Sequence, residues 1–213
     1  MIPKKLHYVW FGGNPKSDLI KRCISSWQEH MPDYEIIEWN EDNFDITKNS
    51  YAQQAFSSKK WAFVSDFVRL KVLHEHGGIY LDSDVEVFRS FDDLLDQGAF
   101  TGFEKYMDTY SPITAVVGAV PHHPWISELL SHYEGIDFED GFTNTARISE
   151  NLNKKYKILN NNKLQSFMDV TIYPAEYFCI PSEDGYAVHH FNGSWLGKTS
   201  KVRKFLRKFL IRK

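Results

Sequence analysis

Cysteine is scarce in this chain: there are two in 213 residues, Cys23 and Cys179, far apart and with no histidine at zinc-site spacing. That excludes a disulfide framework and a structural zinc centre, and makes a reducing compartment the expectation. No apolar run is long enough to cross a bilayer as a helix, and the opening MIPKKLHYVWFGG has lysines but no signal-peptide core. The expected location is therefore cytoplasmic or peripheral to a membrane. Internal repeats, low-complexity blocks and a convincing linker are also missing, while 42% hydrophobic and 15% aromatic content suffices for one sizeable core.

Basic residues are short in the body and concentrated at the end. The net charge of -3 hides a C-terminal stretch, KTSKVRKFLRKFLIRK, with five lysines, three arginines and no acid, which leaves 17 basic against 28 acidic residues elsewhere. Within it Val202, Phe205, Leu206, Phe209 and Leu210 recur at helical spacing with basic residues around them. An amphipathic helix of this kind either packs on the domain or lies on an anionic membrane, and the charge favours the membrane. The chain is accordingly divided into a domain over 1–197 and a tail over 198–213. Nucleic acid is not an expected partner.

Alternation and apolar runs predict strands over Leu6–Phe11, Tyr34–Trp39, Ile79–Phe88, Ala99–Phe103, Thr114–Val120, Val170–Tyr173 and Tyr186–Phe191. Helices are predicted after a Ser17 cap to about His30, over Trp61–His76, from Pro124 to about Tyr133 and over Asn144–Tyr156. Alternating strands and helices argue for an α/β domain with a mainly parallel sheet, binding its ligand beyond the carboxyl ends of the strands.

One strand carries a contradiction. GGIYLDSDVEVF has the period of a strand, yet places Asp82 and Asp84 two residues apart in it, and strands disfavour aspartate. On a strand both carboxylates face one side, where two like charges call for a cation. The alternative is that the strand ends near Leu81 and the aspartates sit in a solvated turn. Carboxylates are hard ligands, which points to Mg²⁺ or Mn²⁺ completed by substrate phosphates.

The preceding helix, WAFVSDFVRLKVLHEHGG, places Asp66 and Arg69 at the edge of its apolar face. They are read either as an internal ion pair or as a carboxylate and guanidinium presented to a sugar nucleotide. Late in the chain, YAVHHFNGSW offers His189 and His190, which on a strand point opposite ways, so at most one of them reaches a common ion, which would tilt it toward Mn²⁺; the alternative is a surface histidine beside a core histidine. Trp10, before Phe11-Gly12-Gly13, is either core or a flat face for a base.

IPKKLHYVWFGG, WAFVSDFVRLKVLHEHGGIYLDSDVEVF, TIYPAEYF and YAVHHFNGSW, in this order, resemble glycosyltransferase family 32, the capsule and exopolysaccharide branch with the DXD sugar-binding motif. More remotely they resemble the glucosylating domains of clostridial toxins. The resemblance implies a GT-A fold, Rossmann-like, a nucleotide-sugar donor that is most often a UDP-sugar, Mn²⁺ with Mg²⁺ as the alternative, and transfer with retention to a glycan acceptor. It implies that Trp10 stacks on uracil, that Asp66 and Arg69 hold the donor sugar, and that Tyr80 lines the donor pocket. Asp82 would bridge ribose and metal, Asp84 would be the principal metal ligand, and His190 would be preferred to His189. Ser194 and Trp195 would close on the diphosphate. Where many relatives carry a Gly-Pro ahead of Leu-Thr this chain has FTNTARISENL, which leaves the acceptor side unplaced. Two rival readings of LDSDV remain open at this point: a haloacid dehalogenase-type phosphohydrolase, and a non-catalytic sugar- or Ca²⁺-binding module.

Overall fold

The structure is a computed structural model and describes residues 1–139 and 144–192. The first strand, β1 (Lys5–Val9), is followed by α1 (Asp18–His30), whose start is capped as expected: the Ser17 hydroxyl accepts the Ile20 N–H. Next come β2 (Glu35–Trp39), α2 (Ser50–Ser57) and α3 (Trp61–His76). The helix α2 escapes the apolar-period reading because it is short and polar. Its signal is Asn49, whose side chain accepts the Ala52 N–H.

The Gly77-Gly78 pair ends α3 and starts β3 (Gly78–Leu81) for a steric reason. Gly77 has φ 60° and a Cβ there would lie 2.6 Å from the Pro121 ring; at Gly78, with φ 100°, it would lie 2.8 Å from the Lys5 carbonyl. Beside this turn His7 is fully buried, with Nε2 2.8 Å from the Gly77 carbonyl and Nδ1 accepting the Trp39 indole N–H at 3.1 Å. Burial lowers its pKa to about 4, so a neutral imidazole ties β1 to the turn at physiological pH.

The predicted strand over Ile79–Phe88 is broken. It ends at Leu81, turns through Asp82-Ser83-Asp84 and resumes as the separate β4 (Val85–Val87). The main sheet continues with β5 (Ala99–Tyr106) and β6 (Thr109–Ala119), then, after α4 (Pro124–Ser131) and α5 (Asn144–Lys155), with β7 (Gln165–Phe167) and β8 (Val170–Tyr173). A short α6 (Ala175–Phe178) leads to β9 (Ala187–His189).

The seven-stranded sheet has the order β2-β1-β3-β6-β5-β8-β7, and β4 pairs with β9 in a separate two-stranded sheet. The main sheet is mixed, not mainly parallel: β1–β2, β1–β3 and β5–β8 run parallel, while β3–β6, β5–β6 and β7–β8 are antiparallel. The reason is local. Residues 107–108 join β5 to β6 too tightly for anything but a hairpin, and β7 reaches β8 through two residues.

Strand alternation divides the core between the two faces. Tyr80 and Val117 pack on the side of α3 and α4, whereas Ile79, Leu81 and Val116 pack on the side of α1 and the β4–β9 pair. Among the described residues no helix is long and apolar enough to cross a membrane. The tail expected over 198–213 lies outside the described residues.

Candidate active site

β1 and β3 are parallel neighbours, with His7 opposite Tyr80, so the segments leaving their carboxyl ends emerge at one edge of the sheet. Trp10 follows the end of β1 and Asp82 the end of β3. At Asp82 the backbone N–H still bonds the Ala115 carbonyl of β6 at 2.8 Å, and its carbonyl accepts the Val85 N–H at 2.9 Å. The DXD segment is thus a turn braced at both ends. It is partly buried: the Asp82 side chain is 25% exposed and that of Asp84 14%.

Behind Asp82 stands the pair from α3. Arg69, 6% exposed, places Nη2 3.0 Å from Asp66 Oδ1 and 3.2 Å from Asp82 Oδ1. Its carbon Cζ lies 4.6 Å from the centre of the Tyr80 ring, and the Tyr80 hydroxyl donates to Asp82 Oδ1 at 2.8 Å. Burial opposes the charge on Arg69, but the carboxylates of Asp82 and Asp66 outweigh it and hold the guanidinium more firmly protonated than usual. The Asp66–Arg69 pair is thus an internal ion pair, and it also reaches a DXD carboxylate.

The two adjacent histidines separate as strand geometry demands, and it is His189, not the preferred His190, whose ring lies beside the side chain of Asp84. β9 pairs with β4 so that His189 lies opposite Val85, on the core side, whereas Val188 lies opposite Glu86. His190 therefore shares the Glu86 face, and its Nε2 meets Glu86 Oε2 at 2.6 Å. His189 instead puts Nε2 3.2 Å from Asp84 Oδ1, while Nδ1 bonds Glu104 of β5. Its ring stacks on Phe191 at 4.2 Å. One group among the described residues has the composition and closeness of a metal site, Asp82, Asp84 and His189, whose ligand atoms lie within 4.8 Å of one another. Two carboxylates with one imidazole suit a hard to borderline divalent cation.

The electrostatics of this group are coupled. Burial works against the charge on His189, and the carboxylates of Glu104 and Asp84 outweigh it, holding the imidazolium well above the usual histidine range. Burial likewise pushes Asp84 up, but His189 and the Asn192 N–H, 2.7 Å from Oδ2, bring it below the usual carboxylate range. Glu104 is pushed up, chiefly by burial.

Trp10 is half-buried; its indole N–H donates to the Asn14 carbonyl at 2.8 Å and the Lys16 ammonium lies 5.3 Å from the ring centre. Ser194 and Trp195 lie outside the described residues. The sequence reading missed Glu104, although its place two residues after Gly102 and four after Phe100 on one strand puts it on the face that meets β4 and β9.

The architecture is the GT-A fold of glycosyltransferases, with a mixed central sheet. Residues 17–101, which include Asp66, Arg69 and the DXD turn, match the family described as "glycosyltransferase sugar-binding region containing DXD motif". An uncharacterized glycosyltransferase of Acanthamoeba polyphaga mimivirus is 28% identical over 135 residues, 58% of this chain and 52% of that protein. The mannosyl phosphorylinositol ceramide synthase SUR1 of Saccharomyces cerevisiae is 30% identical over 144 residues, 63% of this chain and 36% of that protein. The chain thus spans about half or less of the length of these relatives. Among solved structures, the PaToxG glycosyltransferase superposes with a TM-score of 0.56 at 20% identity, over 73% of this chain and 70% of that one.

Proposed function

We propose that this chain is a metal-dependent glycosyltransferase that moves a sugar from a nucleotide-sugar donor, most simply a UDP-sugar, to a glycan acceptor with retention of configuration. The observation that carries this reading is the meeting of Asp82, Asp84 and His189 at the carboxyl edge of the sheet, the two aspartates falling within the residues that match the DXD sugar-binding family. A phosphohydrolase of the dehalogenase type gives Asp66, Arg69 and His189 no role beside its DXD motif. Here Asp82 already receives Arg69 and the Tyr80 hydroxyl, and Asp84 receives Asn192.

In this reading Asp82, Asp84 and His189 hold a divalent cation, Mn²⁺ or Mg²⁺, which when bound neutralises charge gathering on the leaving diphosphate. Arg69 keeps Asp82 and Asp66 in place, Asp66 faces the donor sugar, Tyr80 fixes the Asp82 rotamer, and Trp10 stacks on the base. Ser194 and Trp195 are assigned to closure over the diphosphate from the sequence resemblance. The acceptor hydroxyl attacks the anomeric carbon from the face the diphosphate leaves, and the departing phosphate oxygen takes the proton.

The name of the yeast relative describes a sugar on a lipid, which supports a lipid-linked acceptor here, in capsule or exopolysaccharide synthesis. The basic tail over 198–213 would hold the enzyme at an anionic inner membrane face, where such an acceptor resides.

A panel of UDP- and GDP-sugars with Mn²⁺, scored for slow nucleoside diphosphate release without acceptor, identifies the donor. Trp10→Ala is expected to weaken binding of that nucleotide by about 1 to 3 kcal/mol, the cost of losing one base–aromatic stack. Asp66→Asn should bind it normally and turn over slowly. Calorimetric titration checks both, and unchanged binding by Trp10→Ala would move the base elsewhere.

A further inference from the structure

Glu104 stands outside the group expected to hold the cation, on another strand, and stability alone gives little reason for it. Its side chain is 15% exposed, and the surrounding wall includes Phe103, Ala115, Phe178 and Cys179. Burying a carboxylate is costly unless it is well paired, and this one adds a third negative charge beside Asp82 and Asp84. Among the described residues its carboxylate meets one side-chain donor, His189 Nδ1.

Resting on the metal reading of the site, we infer that Glu104 is a positioning residue that fixes the ring orientation and tautomer of His189 for the cation. Without a cation both ring nitrogens can carry protons, Nε2 toward Asp84 and Nδ1 toward Glu104; a cation would displace the Nε2 proton, and the Nδ1–H held by Glu104 would leave the Nε2 lone pair turned to the shared site. A histidine ligand braced through its second nitrogen by a carboxylate is a recurrent arrangement, and loss of the brace weakens metal affinity about 10- to 100-fold. The backbone brings Glu104 there deliberately. The β5–β6 register shifts between Thr101 and Gly102, just past the stretch in which β6 lies between β3 and β5, and Glu104 on the far side of that shift meets His189 of β9.

The neighbouring pair provides an internal control. Glu86 holds His190 on the opposite face at 2.6 Å, and Arg22 of α1 binds the same carboxylate at 3.1 Å. One carboxylate thus grips each histidine, but only one grip acts on the site.

Mn²⁺ affinity of the full chain, measured by electron paramagnetic resonance of the free ion, tests the inference. Glu104→Met, which keeps volume and removes the acceptor, should bind Mn²⁺ about 10- to 100-fold more weakly. Glu104→Gln, whose amide oxygen still accepts from Nδ1, should stay within several-fold of wild type, and Glu86→Gln should match wild type. Folded Glu104→Met with wild-type affinity, or an equal loss in Glu86→Gln, would overturn the role. If Glu104→Met does not fold, long-range ¹H–¹⁵N spectra of Mg²⁺-loaded Glu104→Gln decide: the Nδ1–H tautomer of His189 supports the role and the Nε2–H tautomer refutes it. Failure of the underlying reading looks different, since His189→Ala and Asp84→Asn would then bind Mn²⁺ no more weakly than the wild type.

Discussion

Asp84→Asn is expected to reduce nucleotide-sugar turnover about a thousandfold while leaving the protein folded. Asp84 gives the site an ionised oxygen from a braced turn, and losing a preorganised electrostatic partner of a leaving group costs about 3 to 4 kcal/mol of barrier. The amide is isosteric and can still accept the Asn192 N–H that Asp84 Oδ2 now receives at 2.7 Å. The loss should therefore fall on the metal and not on the loop. Circular dichroism with a continuous diphosphate-release assay separates the two, and turnover within tenfold of wild type would remove Asp84 from the metal site.

Arg69→Met should produce the largest loss of stability of any single change at the site. The guanidinium lies between Asp66 and Asp82 at 3.0 and 3.2 Å, against the face of Tyr80, with almost no access to water. Removing it takes away the positive charge that pairs these two carboxylates, and breaking a buried pair in this way costs about 3 to 5 kcal/mol. For a chain of this size that corresponds to a fall in Tm of roughly 10 °C. Arg69→Lys should recover part of it, keeping the charge but not the planar guanidinium that meets both carboxylates through Nη2 and the Ser65 carbonyl through Nε. Scanning calorimetry checks the series; a Tm for Arg69→Met within 2 °C of wild type would show that the pair contributes little.

What was legible in the sequence followed from strong local rules. Trp61–His76 and Val170–Tyr173 have the predicted bounds because period, glycine stop and β-branched content agree there. The grouping of Asp66 and Arg69 with the DXD aspartates was also readable, since a two-glycine turn leaves the helix little choice about where the strand goes. The break between β3 and β4 was not readable from alternation, because the apolar residues on either side keep strand period through a turn held by long-range bonds to Ala115 and Asn192.

The choice between His189 and His190 depended on register. A one-residue slip exchanges the two faces of a strand, and the register is set by Val85 and Val87 entering the core, which neighbouring letters do not reveal. The mixed sheet has a similar origin, in a β5–β6 hairpin whose second strand also pairs antiparallel with β3. Glu104 became visible only when that hairpin met β9.

The central claim is that Asp82, Asp84 and His189 hold a divalent cation on which cleavage of a nucleotide sugar depends. Its most direct test is nucleoside diphosphate release from the donor identified in the panel, measured after EDTA treatment and again on adding back Mn²⁺, Mg²⁺ or Ca²⁺. The account predicts that release falls to background with EDTA and returns, most fully with Mn²⁺, in the wild type but not in Asp84→Asn. Undiminished release in the presence of EDTA, or equal restoration in Asp84→Asn, would contradict it.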